Sequence, residues 1–115
     1  MPPEGRDTAY LWDMLDAALA IRQFLVEKDY EAYIQDRQLR NAVERNLEII
    51  GEAARRLSTQ CREENQQIPW RTIVGLRNII AHEYDTVRQE IIWSHCQKHL
   101  PILVDRLNEL GVGDL

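Results

Sequence analysis

Asp36-Arg37-Gln38-Leu39-Arg40-Asn41-Ala42-Val43-Glu44-Arg45-Asn46-Leu47-Glu48-Ile49-Ile50-Gly51-Glu52-Ala53-Ala54-Arg55-Arg56-Leu57 is the stretch that decides the fold. Its apolar residues Leu39, Val43, Leu47, Ile50, Ala54 and Leu57 recur at spacings of four, four, three, four and three. That is one face of an α-helix, with Asp36 placed to cap it. Gly51 interrupts the run at a cost of about 1 kcal/mol relative to alanine. Close approach of another helix is the simplest compensation. A helix with one long apolar stripe must bury it, so the neighbouring segments should be helices shaped to cover it.

They read that way. Upstream, Asp7 or Thr8 caps a helix with Leu11, Leu15, Ala18, the stem of Arg22 and Leu25 on one side, ending near Glu27–Asp29. Asp29 then caps a short turn through Tyr30–Ile34. Downstream, the polar residues Ser58 to Gln67 read as a loop, and Ile68-Pro69-Trp70 opens a third helix with proline in its first turn. Ile73, Leu76 and Ile80 give this helix a buried face, and it should stop around Tyr84–Asp85. Thr86-Val87-Arg88-Gln89 has capping-box spacing. It precedes a fourth stripe of Ile92, Cys96, Leu100, Leu103, Leu107 and Leu110, kinked at Pro101 and stopped at Gly111. Nothing alternates with a period of two. The expectation is an all-α, up-and-down bundle of about four main helices in one domain, residues 1–115, with its core over about 8–110.

Composition agrees. Of 115 residues, 44% are apolar and 29% charged, ordinary values for a globular protein. The apolar runs are too short to span a bilayer and no basic-then-apolar leader opens the chain, so a cytoplasmic protein without a membrane partner is expected. Cys61 and Cys96 form no disulfide framework or zinc motif and read as small buried hydrophobes. The net charge of −5 argues against broad electrostatic binding of nucleic acid, but it is unevenly spread. Residues 37–77 carry eight arginines against five glutamates, whereas both flanks are acidic. Such a stretch is either an ion-paired solvated surface or a surface for a nucleic-acid strand or an acidic partner.

Chemistry concentrates in Arg77-Asn78-Ile79-Ile80-Ala81-His82-Glu83-Tyr84. A permanent cation beside an imidazole that titrates near neutrality suits reaction at a phosphodiester. An arginine and a histidine near a helix C-terminus also have an ordinary role against the dipole. On an ideal helix Asn78 and His82 share a face, while Arg77 and His82 point about 140° apart. Three arrangements bring them together: a helix that ends before His82, a bent Arg77, or a second copy across a two-fold cleft. Glu52 is a candidate to order Arg77 or His82 if the bundle brings them close. His95, Cys96 and His99 are better read as partly buried side chains than as metal ligands, so no metal site is expected. Trp12, Trp70 and Trp93 read as core or interface anchors, and Tyr30 and Tyr33 as dimer or partner contacts.

The intact Arg-x4-His-x-Tyr motif at Arg77, His82 and Tyr84, with Glu44-Arg45-Asn46-Leu47-Glu48-Ile49-Ile50-Gly51-Glu52-Ala53 and Ile68-Pro69-Trp70 upstream, resembles the HepT-like toxins of the HEPN superfamily. The resemblance runs from about Tyr10 to Leu110. It implies an all-helical homodimer with the motif at the dimer cleft. The implied activity is that of a metal-independent RNA endonuclease, the toxin of a type VII toxin–antitoxin system. Arg77 and His82 would be its catalytic pair, with Asn78 and Glu52 in supporting or substrate-binding roles. No cofactor is implied for catalysis. The cognate antitoxin would be a minimal, MntA-like nucleotidyltransferase that transfers AMP from ATP onto Tyr84. The alternative is a noncatalytic HEPN-like adaptor that binds nucleotide or holds a nucleotidyltransferase partner.

Overall fold

A computed structural model describes residues 5–114; Met1–Glu4 and Leu115 at the two ends of the expected domain lie outside the described residues. The chain forms α1 (Gly5–Leu25), α2 (Tyr30–Gln35), α3 (Arg37–Arg56), α4 (Thr59–Glu63), α5 (Trp70–His82), α6 (Asp85–Lys98) and α7 (Leu100–Glu109). A 3-10 turn over Val112–Asp114 follows. The long rods α1, α3, α5 and the broken pair α6–α7 make the expected up-and-down bundle. Helix α3 is its centre, packed on α1 along one side and α5 along the other.

The α3 stripe is buried as its spacing demands: Val43, Leu47, Ile50, Ala54 and Leu57 lie in the core, with Leu39 packed at its edge. Asp36 caps the helix, its side chain accepting from the Leu39 amide at 3.0 Å. Asp29 does the same for α2 through the Ala32 amide at 2.8 Å. Gly51 marks the closest approach of α5, since a Cβ there would sit 3.3 Å from the Ile73 carbonyl oxygen. Helix α1 buries a broader face than expected, Met14, Ala17 and Ile21 joining Leu11, Leu15 and Ala18, while Arg22 stays outside. Asp7 lies within the first turn of α1 and accepts from the Ser58 amide and hydroxyl at 2.9 and 2.6 Å, tying α1 to the end of α3.

Five local expectations need correction. The Ser58–Gln67 segment is not all loop: Ser58 caps the short helix α4, accepting from the Cys61 amide at 3.1 Å. Helix α5 stops at His82, short of Tyr84–Asp85. Thr86 is not a cap, because α6 has already begun at Asp85 with Tyr84 as its N-cap. Tyr33 is no exposed partner contact; it is fully buried, its ring 5.3 Å from that of Trp93. Trp12 is 46% exposed and so is not a core anchor. Pro101 acts as predicted, in a sharper form: the helix breaks at His99 and restarts with proline in the first turn of α7. Gly111, at φ +77°, ends α7 in the left-handed conformation that glycine adopts freely.

His95 is 4% exposed, with its ring centroid 5.3 Å from that of His99. Burial, and secondarily the neighbouring His99, lowers its pKa from 6.5 to about 4. The folded state therefore holds His95 neutral, and the unfolded chain takes up a proton that the folded chain refuses. The stability this provides is complete above pH 6.5 and is lost as pH falls toward 4, at up to about 1.4 kcal/mol per pH unit. Unfolding of wild type and His95→Leu by urea at successive pH values should show this slope in wild type and its reduction in the variant. Cys96 is pushed up to about 12 by burial, and Cys61 is also raised chiefly by burial, so both thiols stay protonated near neutrality.

Candidate active site at the end of helix α5

The motif occupies the last turns of α5 and the short link to α6, and α3 grips it at both ends. Because α3 and α5 run antiparallel, Glu52 near the end of α3 faces Arg77, while Glu44 near its start faces the link beyond His82. Glu52 Oε2 accepts from Arg77 Nη1 at 3.1 Å. The same carboxylate accepts from Arg55 Nη2 at 2.8 Å and Arg56 Nε at 2.9 Å. Those guanidiniums, Arg55 first, hold the Glu52 carboxyl below the usual range, so it stays ionised as the anchor of Arg77. Of the two groups that Glu52 was a candidate to order, Arg77 or His82, the contact is with Arg77.

The opposite end rests on a polar network that the sequence reading did not assemble. Arg88, in the first turn of α6, donates to Asp85 Oδ1 at 2.7 Å and reaches back to the carbonyls of Ile80 and Glu83 at 3.5 Å. Its Nε lies 3.5 Å from Glu44 Oε2, an ion pair without hydrogen-bond alignment. Gln89 is fully buried; its amide donates to Glu44 Oε2 at 2.6 Å, and its oxygen accepts from the Tyr33 hydroxyl. Thus α2, α3 and α6 all hold the turn that carries the motif. One signal for Gln89 was available: it extends the stripe of Ile92 and Cys96 by one step, so its side chain had to enter the core. Glu44, beside Val43 on the buried side of α3, carried a similar signal.

Between these anchors the remaining polar groups face outward. His82 is the last residue of α5 and is exposed; Glu83 turns the chain into extended backbone at φ −85°, ψ 150°. Tyr84 is 87% exposed. Asn78 is exposed and borders a hollow of about 640 Å³ along α4 and α5, shared with Trp70, Val74 and Gly75. Arg77 and His82 are not joined within the chain, since Arg77 is drawn to α3 while His82 leaves the helix end. Among the described residues, no group of three or more His, Cys, Asp or Glu is arranged to hold a metal ion, His95, Cys96 and His99 included. Nor is any helix there long and apolar enough to cross a membrane.

An all-helical bundle presenting an exposed arginine–histidine–tyrosine motif at a helix end defines a HEPN-like protein. The chain belongs to the ribonuclease HepT-like family, whose model matches residues 14–110. It is 38% identical over 93 residues, 81% of this chain and 85% of the relative, to "Putative RNase MJ1380" of Methanocaldococcus jannaschii. It is 37% identical over 92 residues to "Putative RNase TTE0752" of Caldanaerobacter subterraneus subsp. tengcongensis, covering 76% of this chain and 82% of that one. "Probable ribonuclease HepT" of Thermococcus cleftensis is 31% identical over 101 residues, 88% of this chain and 92% of its own. No solved structure matches.

Proposed function

We propose that this protein is a metal-independent RNA endonuclease and the toxin of a toxin–antitoxin pair. It works as a two-fold dimer and is silenced when a cognate nucleotidyltransferase transfers AMP to Tyr84. The observation that carries the reading is the end of α5, where an arginine fixed by Glu52 precedes an exposed histidine and an exposed tyrosine. Membership in the ribonuclease HepT-like family and the ribonuclease names of its relatives support it.

The chemistry needs little apparatus. RNA carries its own nucleophile, the ribose 2′-hydroxyl. One His82 imidazole takes the 2′-hydroxyl proton as the oxygen attacks phosphorus. The bond from phosphorus to the 5′-oxygen then breaks, and that oxygen receives a proton, leaving a 2′,3′-cyclic phosphate and a 5′-hydroxyl. Proton transfer of this kind contributes about 10²–10⁴-fold. Arg77 neutralises the charge that builds on the phosphoryl oxygens. A two-fold axis beside α5 would set the Arg77 and His82 of each copy around one cleft, where a single helix holds them apart. Asn78, on the His82 side of α5, is placed to orient the imidazole or contact phosphate.

Silencing follows from exposure. The Tyr84 phenolic oxygen attacks the α-phosphorus of ATP, pyrophosphate leaves, and the phenol proton goes to solvent. The attached AMP adds negative charge and bulk at the cleft and repels a phosphate backbone. The purified protein should cleave RNA in the presence of EDTA and leave cyclic-phosphate ends. Absence of cleavage, with the nucleotidyltransferase partner still bound, would establish the adaptor reading instead. Tyr84→Phe should cleave RNA as well as wild type yet gain no AMP when co-expressed with the antitoxin. Intact-mass spectrometry reads this directly, and a mass increase persisting in Tyr84→Phe would move the modification elsewhere.

A further inference from the structure

The carboxylate of Glu52 is shared by three guanidiniums, those of Arg55, Arg56 and Arg77. One negative charge cannot balance three positive ones, so the cluster keeps an excess of positive charge. Each side chain remains more than half exposed, at 57%, 55% and 62%. The guanidiniums spend only one or two N–H groups each on Glu52 and keep the others free for a phosphate. Next to them, between α1 and α3, lies a hollow of about 200 Å³ bordered by Tyr10, Ile49, Ala53 and Arg56. Tyr10 and Arg56 line this hollow together, which sets the aromatic ring beside the cationic cluster. Asp13 and Glu48 stand on the same rim and would repel a phosphate there, which leaves the Arg55–Arg56 end as the place for one.

We propose that Arg55, Arg56 and Tyr10 form a single-stranded RNA subsite. In it the two arginines hold a backbone phosphate beside the one at Arg77, and Tyr10 borders the hollow that receives the adjoining base. The subsite rests on the endonuclease reading but touches neither His82 nor Tyr84. Glu52 is its organiser: by gathering three long cations into one place it lowers the ordering cost of binding. The pattern of exposed cations beside an aromatic ring suits strand binding of low sequence preference.

The test uses the full-length chain carrying His82→Ala, so that a fluorescent single-stranded oligoribonucleotide is bound without being cut. Adding Arg55→Gln and Arg56→Gln should weaken binding about ten-fold or more at moderate salt. It should also reduce the slope of log affinity against log salt by about 0.7, the value for one lost phosphate contact on a single strand. Adding Tyr10→Leu instead should weaken binding about five-fold or more with the slope unchanged, as expected for lost stacking. In the His82-intact protein the double arginine variant should raise KM and leave kcat within about two-fold. Unchanged affinity and slope in a variant whose circular dichroism melt matches its parent would overturn the subsite. So would intact RNA binding with loss of antitoxin-dependent AMP transfer to Tyr84, since the cluster would then be a protein dock. If wild type cuts no RNA but binding shows the arginine-dependent slope, the endonuclease reading fails and the subsite stands.

Discussion

His82→Ala should reduce RNA cleavage by about 10²–10⁴-fold with little change in thermal stability. The small stability effect follows from position: His82 is the exposed last residue of α5, and alanine is at least as good a helix former there. The large activity effect follows from role, because His82 is the one imidazole in the Arg77–Tyr84 stretch. Arg77→Ala should cost a comparable factor for a different reason, loss of charge neutralisation at the phosphoryl oxygens. The Glu52–Arg77 ion pair is largely exposed and worth little to folding, so this variant too should stay folded. Gel analysis of 5′-labelled RNA with matched circular dichroism melts separates the two effects. Cleavage by His82→Ala within two-fold of wild type would end its assignment as the proton carrier. Mixed dimers of His82→Ala with Arg77→Ala supply a stricter check: if each cleft draws groups from both copies, they should recover part of the activity that neither parent shows.

How much of this was legible in the sequence depends on how local the physics is. The α3 stripe and the Asp29 and Asp36 caps were readable because they depend on spacing and on an amide three residues away. The same rules failed at Thr86, where spacing favoured a capping box but burial of Gln89 took precedence: the side chain a capping box would fold back over the helix start instead runs inward to Glu44 and the Tyr33 hydroxyl. They failed also at Ser58, where a polar run hid two buried residues, Cys61 and Asn65, the first of which seats a short helix against the core. In the site, residue types and order were visible in the motif, and Glu52 could be suspected from its place on α3. The Glu44–Gln89–Arg88 network could not be assembled, because its contacts depend on the register between α3 and α6, which no single-helix period encodes. Tyr33 went astray for the same reason: an acidic neighbourhood in sequence suggested a surface, while α2 folds it inward.

Glu44→Ala should damage both folding and activity from outside the motif, lowering folding stability by about 2–3 kcal/mol. The Glu44 side chain is 14% exposed and that of Arg88 24%, so removal takes the shared carboxylate from a mostly buried guanidinium and from the buried Gln89 amide. A fully buried pair would lose more; the remaining water access and the 2.7 Å bond from Arg88 to Asp85 moderate the loss. Urea unfolding measures the effect, and a double-mutant cycle with Arg88→Met isolates the pair, since the double variant should be less destabilised than the two single losses combined. The consequence for activity is separate. Arg88 holds the Ile80 and Glu83 carbonyls, and hence the turn on which His82 and Tyr84 sit, against α3. At low temperature, where the variant is still folded, kcat should fall about ten-fold while KM changes little, because misplacing a catalytic group by about 1 Å is costly even when the substrate still binds. A variant with the expected stability loss but wild-type kcat would make the network a support for the fold alone. The fall in kcat would make Glu44 a positioning residue, and α3 would then control both halves of the chemistry: Glu52 through Arg77, and Glu44 through the turn beneath His82.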